Sequence, residues 1–155
     1  MCRLIEYGDI FAYAANHFTG FDELIGMKFS QSDSDSRHRI RLYDASSITI
    51  QGTTYTQSVM VTARAILSPW PVYTLADLSP ETLQPALDLS ADIWIMGTGQ
   101  QHEFPSRAMR QLALQHNIGL EVMSTPAACR TFNVLLAESR NVVGLLMLGN
   151  LVVRG

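Results

Sequence analysis

The fold is decided by two stretches, Asp92-Ile-Trp-Ile-Met-Gly97-Thr-Gly99 and Gly119-Leu-Glu121-Val-Met-Ser-Thr125-Pro126. In each, a short apolar run ends where a helix is predicted to begin. Two glycines within three residues mark the first junction, and a Thr-Pro helix start marks the second. In open α/β sheets, ligands usually bind in the crevice at the carboxyl ends of the strands. The two junctions therefore locate a candidate site, although no residue set in the chain forms a catalytic signature.

Outward from these stretches, strands alternate with helices over the second half of the chain. Ser79-Pro80 is a typical helix start, and the positions of Met109, Leu112 and Leu114 suggest one buried helix face. The predicted elements are helices at 79–89, 106–117 and 125–139 and strands at 92–96, 120–123 and 142–148. This alternation predicts an α/β fold with a mixed, largely parallel central sheet.

The preceding segment is rich in β-strand signals. Ile48–Ile50 and Thr53–Tyr55 flank Gln51-Gly52, which predicts a tight hairpin in which glycine takes a positive φ. This hairpin is expected to join the sheet as its antiparallel portion, followed by strands at 58–62 and 63–67. Trp70 lies between two prolines and has two interpretations, an exposed aromatic anchor for a partner or a lid over the core.

Length and composition fit one domain at residues 38–155, preceded by an N-terminal extension and Ser/Asp linker at residues 1–37. Only 16% of the residues are charged, below the usual share of ~25%, so part of the surface is expected to be covered by a homo-oligomer or an assembly partner. The net charge of −3 without a basic stripe argues against nucleic acid. No apolar run approaches the ~20 residues of a membrane span.

Two cysteines, Cys2 and Cys129, do not form a disulfide framework and indicate a reducing compartment. The N-terminus has neither the apolar core of a secretory signal nor the acid-poor composition of a mitochondrial presequence. We therefore expect a cytoplasmic, bacterial protein.

Residues 119–140, with the Gly97-Thr98-Gly99 turn and Pro105, resemble the characteristic block of a small domain family. This family includes mitochondrial complex I assembly factor 3 and the adipogenesis-associated domain protein, and the resemblance covers about residues 40–150. The resemblance implies a compact three-layer α/β domain. For the eukaryotic member it implies a non-enzymatic role in building the respiratory NADH dehydrogenase, whereas for bacterial members it implies little about activity. The chain departs from the family pattern at Ser124, Pro126 and Ser139.

Cys129 lies near the start of the predicted third helix, where free N–H groups lower a thiol pKa. With Arg130 beside it, it would serve as a reactive thiol or as part of a contact to an anion. The alternative, which we favour, is a small buried residue. His102 and His116 are the candidate bases for such a thiol, but no protease signature surrounds the cysteine. Gly97–Gly99 similarly suggests either half of a phosphate-binding loop or a tight strand exit.

The other crevice residues have structural interpretations. We expect Glu121 to form an ion pair with Arg130 or Arg140, Thr125 to cap its helix, and Asn133 to bind a neighbouring loop backbone. The binding candidates are Gly97, Thr98, Gly99, Glu121, Thr125, Cys129, Arg130 and Asn133.

No catalytic residue, metal site or cofactor is predicted, since no His/Cys/Asp/Glu group has metal-ligand spacing. The leading hypothesis is a binding protein that assists assembly of a respiratory or membrane complex through an unidentified protein partner. The alternative is a small-molecule or anion-binding domain that uses the crevice near Gly97–Gly99 and Cys129. A third is an oligomeric scaffold.

Overall fold

A computed structural model describes residues 37–149 of the chain. Apart from Arg37, the predicted extension and linker lie outside these described residues, as does Cys2. The strands are β1 (Ile40–Tyr43), β2 (Ile48–Ile50), β3 (Thr53–Tyr55), β4 (Val59–Val61), β5 (Ile66–Leu67), β6 (Ile93–Gly97), β7 (Gly119–Met123) and β8 (Val142–Leu146). The helices are α1 (Pro80–Asp88), α2 (Arg107–Gln115) and α3 (Thr125–Ala137), with a short 3-10 helix at Leu75–Asp77.

The central sheet has five strands in the order β5-β4-β8-β6-β7. Strand β6 pairs in parallel with both β7 and β8, whereas β4 runs antiparallel to β8 and β5. The predicted mixed α/β sheet is therefore confirmed. The three parallel strands are β6, β7 and β8, and α2 and α3 connect them in turn. A helix fits each connection, because a link between parallel strands must return the chain to the other end of the sheet.

The predicted hairpin forms but does not join the central sheet. Strands β2 and β3 pair around Gln51 (φ 47°) and Gly52 (φ 87°), which confirms the tight turn. Strand β1 then pairs with β2, and the three make a separate antiparallel sheet. The expectation of a hairpin within one continuous sheet was wrong, because Ile48 and Ile50 bury their side chains in the core beside α3.

Alternation along β6 divides the interior into two cores. Trp94 and Met96 point to one side of the sheet and pack with α1 and α2 around Leu83 and Met109. Ile95 points to the other side, where it shares a core with α3 and the small sheet. Since successive strand residues face opposite sides, one buried strand serves both cores, and the three-layer arrangement follows.

Two sequence interpretations are resolved in these cores. Trp70 is fully buried and its Nε1 donates a hydrogen bond to the Thr82 carbonyl at 2.9 Å, so the exposed-anchor interpretation was wrong. On α2, Met109 and Ala113 form the buried face, whereas Leu114 is 75% exposed. The prediction for Leu114 failed because helical periodicity places position 113, four residues after Met109, on the inner face. Within residues 37–149, no helix is long and apolar enough to cross a membrane.

Candidate functional site

Hydrogen bonds close the end of the sheet where β6, β7 and β8 terminate. The Thr98 N–H donates to the Met123 carbonyl at 2.9 Å, and the Thr125 N–H donates to the Gly99 carbonyl at 2.7 Å. The Thr125 Oγ1 accepts the Gly99 N–H at 2.9 Å and donates to the Met147 carbonyl at 2.7 Å. One threonine hydroxyl thus joins the exits of two parallel strands at the place where the crevice was expected.

The two glycines at this end have different roles. Gly99 has a φ of +99°, which the strand exit needs and which side chains disfavour. Gly97 has no positive φ. A Cβ on Gly97 would lie 2.8 Å from both the Cα and the Oγ1 of Thr125 and 3.1 Å from the Ala128 Cβ. Gly97 therefore allows α3 to approach the sheet closely, so only one of the two glycines fits the positive-φ interpretation.

The N-terminus of α3 has protein partners for its first backbone donors. Ser124, not Thr125, is the N-cap and accepts the Ala127 N–H at 3.5 Å. The prediction that Thr125 caps the helix was wrong, because its hydroxyl is engaged with the strand exits. Pro126 has no N–H, and the Ala128 N–H donates to the Ser124 carbonyl at 2.8 Å. An anion at this helix start would have to displace these bonds, which removes the usual attraction of such a site.

Cys129 is fully buried in the core between α3 and the sheet. Burial raises the pKa of its thiol to about 12, and the nearby positive charge of Arg130 only partly opposes this effect. The thiolate is the nucleophilic form, so a neutral buried thiol is unreactive. The exposed His102 lies outside this core, and its ring contacts the Phe104 ring in a tilted arrangement with a centroid distance of 4.7 Å. This environment fits the interpretation of Cys129 as a small buried residue.

Arg130 and Glu121 are the exposed members of the predicted set, and they do not pair. The Arg130 guanidinium donates to the Tyr43 hydroxyl at 2.7 Å and lies 5.9 Å from the centre of the Tyr43 ring. Glu121 is exposed on the edge strand β7, and within residues 37–149 neither Arg130 nor Arg140 forms an ion pair with it. Its edge position leaves the carboxylate hydrated, so burial imposes no need for a counter-charge.

Asn133 binds backbone as predicted, although its partner is a strand and not a loop. Its Oδ1 accepts the Ile40 N–H at 2.9 Å and its Nδ2 donates to the Ile40 carbonyl at 2.8 Å. At the C-terminal end of α3, the Arg37 guanidinium donates to the Leu136 carbonyl at 2.8 Å and to the Ser139 hydroxyl at 3.1 Å. These bonds attach β1 and the residues just before it to the C-terminal half of α3.

Sequence reasoning missed two polar contacts and one exposed ring. The Ser58 hydroxyl accepts the Leu148 N–H at 3.0 Å and donates to the Leu148 carbonyl at 3.3 Å, which closes the exit of β8. Thr98 shapes the loop after β6. Its Oγ1 donates to the Gln101 carbonyl at 2.7 Å and accepts the Glu103 N–H. This loop presents Phe104, which is 81% exposed. An apolar residue just before a Pro-Ser helix start was its only sequence signal.

Among the described residues, no group of His, Cys, Asp and Glu could hold a metal ion.

Comparison with known proteins gives consistent results. The family described as "Protein of unknown function (DUF498/DUF598)" matches residues 40–147. Two curated relatives carry the name NADH dehydrogenase [ubiquinone] 1 alpha subcomplex assembly factor 3. The one from Drosophila melanogaster is 34% identical over 54% of this chain and 44% of its own length. The one from Danio rerio is 30% identical over 71% of this chain and 64% of its own length. The chain thus spans less than two thirds of either relative.

Solved structures share the fold. A protein from Xanthomonas campestris, solved by NMR, has a TM-score of 0.70 and 31% identity, covering 81% of this chain and 95% of that one. A Bordetella pertussis protein described as an Mth938-like domain has a TM-score of 0.65 at 23% identity, covering 79% of this chain and 92% of its own; this likeness concerns the fold alone.

Proposed function

The chain belongs to the DUF498/DUF598 family, and from this premise we propose that it is a non-enzymatic binding protein that assists assembly of a respiratory or membrane complex. The observation that carries the proposal is its 30% identity, over 71% of the chain, to a relative named as an assembly factor for NADH dehydrogenase. The proposed partner is a protein, and the proposed client is that enzyme or a related complex.

The geometry supports a surface role for this fold. The strand exits, the start of α3 and the Cys129 thiol are engaged inside the domain. Of the residues singled out at this end, Glu121 and Arg130 remain exposed, and we propose that they contact the partner. The others position them: Gly97, Thr98, Gly99 and Thr125 shape the end of the sheet, and Cys129 and Asn133 hold α3 in place.

The alternative of a small-molecule or anion site near Gly97–Gly99 and Cys129 has less support. It would require free backbone donors or an accessible thiol, whereas the donors at the start of α3 are bonded and the thiol is buried. A thermal-shift screen with nucleotides, phosphates and carboxylates tests it, because a ligand at 100 times its Kd adds about 2.7 kcal/mol to the stability. A saturating shift would favour this alternative.

Gene deletion tests the proposed function. In membranes of the deletion strain, native electrophoresis with an in-gel NADH oxidation stain is expected to show less assembled NADH dehydrogenase and accumulated subcomplexes. Expression of the wild-type chain is expected to restore assembly. An unchanged amount of assembled enzyme, with no subcomplexes, would refute the proposed client. Cell fractionation of the same strains tests the accompanying proposal of a cytoplasmic location.

A further inference from the structure

We infer that the outer face of α2, formed by Arg107, Arg110 and Leu114, is together with Phe104 in the preceding loop a docking surface for an acidic, amphipathic segment of a partner protein. This inference rests on the proposed binding role but not on the identity of the client. This surface lies on the opposite side of the central sheet from α3.

The first observation is geometric. Arg107, Arg110 and Leu114 follow one another at three- and four-residue spacing, which places them on one side of α2. All three are exposed, while Met109 and Ala113 occupy the opposite, buried side. Phe104 lies in the loop that leads into this helix and is 81% exposed. The helix therefore presents a basic and apolar stripe to solvent.

The second observation concerns charge. The chain carries a net charge of −3, but no Asp or Glu occurs between Glu103 and Glu121. Within residues 37–149, neither Arg107 nor Arg110 forms an ion pair. Glu121 does not neutralise them, because its neighbours Leu120 and Val122 pack on the α2 side of the sheet and alternation directs Glu121 to the other side.

The third observation is that these charges oppose the helix itself. Arg107 is the first residue of α2, the first turn contains no acidic residue, and the last turn contains no basic one. Cations near a helix N-terminus are disfavoured by its dipole. Departures from such local rules are found at functional sites. Arginine and aromatic residues are also the side chains that are enriched in interfaces.

An acidic segment with apolar side chains complements this stripe. Its carboxylates would neutralise both guanidiniums, and its apolar residues would cover Phe104 and Leu114. A second copy of this chain is a poor occupant of the same face, since two α2 helices packed together would bring their arginines into proximity. Nucleic acid would use the cations but leave Leu114 uncovered.

The test uses the full chain and three probes: a synthetic amphipathic helix of Leu and Glu, a copy with Lys in place of every Glu, and a single-stranded DNA oligonucleotide. We expect the Leu/Glu peptide alone to bind, with NMR amide shifts confined to residues 102–116. In fluorescence anisotropy, the double variant Arg107→Glu/Arg110→Glu should bind it at least roughly tenfold more weakly. Phe104→Ala should weaken it in the same direction.

The matched control is Arg64→Glu/Arg140→Glu, which makes the same change in net charge at two other exposed arginines and should bind as the wild type does. The test variant should remain folded, because acidic residues at a helix N-terminus agree with the dipole. Absence of Leu/Glu binding, equal binding of the Lys peptide or the oligonucleotide, or equal losses in the two double variants would each overturn the inference. Such a failure would leave the deletion phenotype, and thus the proposed function, untouched.

Discussion

The Asn133 side chain makes the two backbone hydrogen bonds with Ile40 that a neighbouring strand would otherwise make. Its amide accepts the Ile40 N–H at 2.9 Å and donates to the Ile40 carbonyl at 2.8 Å, so one side chain satisfies both backbone groups of a residue 93 positions away. Strand β1 is an edge of the small sheet, and these bonds attach that edge to α3. This amide therefore helps to hold the small sheet in place over the core that it shares with α3.

Removing this amide is expected to destabilise the domain. Asn133→Ala leaves two part-buried backbone groups without partners, and each unsatisfied group costs about 1–3 kcal/mol. We expect a loss of about 2 kcal/mol or more in urea unfolding. The matched control is Asn141→Ala, because Asn141 is exposed and its Nδ2 makes one bond, to the Ser90 carbonyl at 3.1 Å. Equal losses in both variants would show that the double bond to Ile40 has no special importance.

The close approach of α3 to β6 predicts a strong effect at Gly97. An added Cβ would lie 2.8 Å from the backbone Cα of Thr125, so Gly97→Ala must push the helix away from the sheet. Overpacking of this kind costs about 1–3 kcal/mol. At Gly119 the nearest atom to an added Cβ is the Asp92 carbonyl oxygen at 3.5 Å, so Gly119→Ala should be close to neutral. Thermal unfolding of the two variants gives the comparison, and an unaffected Gly97→Ala would contradict the role assigned to this residue.

The buried thiol predicts slow labelling of Cys129. In a Cys2→Ser background, the native protein should react with a maleimide far more slowly than the urea-unfolded chain. Since burial raises the pKa of the Cys129 thiol to about 12, the native rate should stay low between about pH 7 and about pH 9. The unfolded rate should rise over this range as the thiolate forms near the ordinary pKa of about 8.5. A native rate that equals the unfolded one would revive the reactive-thiol hypothesis.

His38 predicts a loss of stability in acid. Its Nδ1 lies 3.1 Å from the Thr62 carbonyl, and burial lowers its pKa below the ordinary value of 6.5. The unfolded chain therefore takes up the proton first, and the stability contributed by the neutral ring is lost as the pH falls below about 6.5. His38→Gln keeps an N–H donor that does not titrate, so the wild type should lose more unfolding free energy than this variant between about pH 7.5 and about pH 5. An NMR titration midpoint of His38 at or above 6.5 would contradict the prediction.

The periodicity of apolar residues in the sequence was enough to predict the strands and helices of the central layers, but not the contacts between them. The strands and helices of the second half were predictable because buried strands and amphipathic helices have local patterns. The separate small sheet was not, since it is held by contacts between segments that are remote in sequence, such as the bonds between Asn133 and Ile40. Thr125 was predicted to cap a helix because a Thr-Pro pair is a local start signal, whereas its hydroxyl bridges Gly99 and Met147. Hydrogen bonds between distant segments have no sequence period, and they decide the details of the site.

The contact between Arg130 and Tyr43 determines how an Arg130 variant must be interpreted. The guanidinium is exposed, so its hydrogen bond to the Tyr43 hydroxyl and its stacking on the ring should contribute only about 0.5–1 kcal/mol. A double-mutant cycle with Arg130→Ala and Tyr43→Phe, followed by urea unfolding, measures the hydrogen-bonded part of this coupling. If the coupling is this small, Arg130→Glu should remain folded. On the proposed function, this variant should then fail to capture NADH dehydrogenase subunits from gently solubilised membranes, because it loses a contact with the partner. A Tyr43→Phe copy that captures as the wild type does would separate that contact from the support of the arginine. If both variants lose capture equally while folded, the partner requires the Arg130–Tyr43 pair and not the arginine alone.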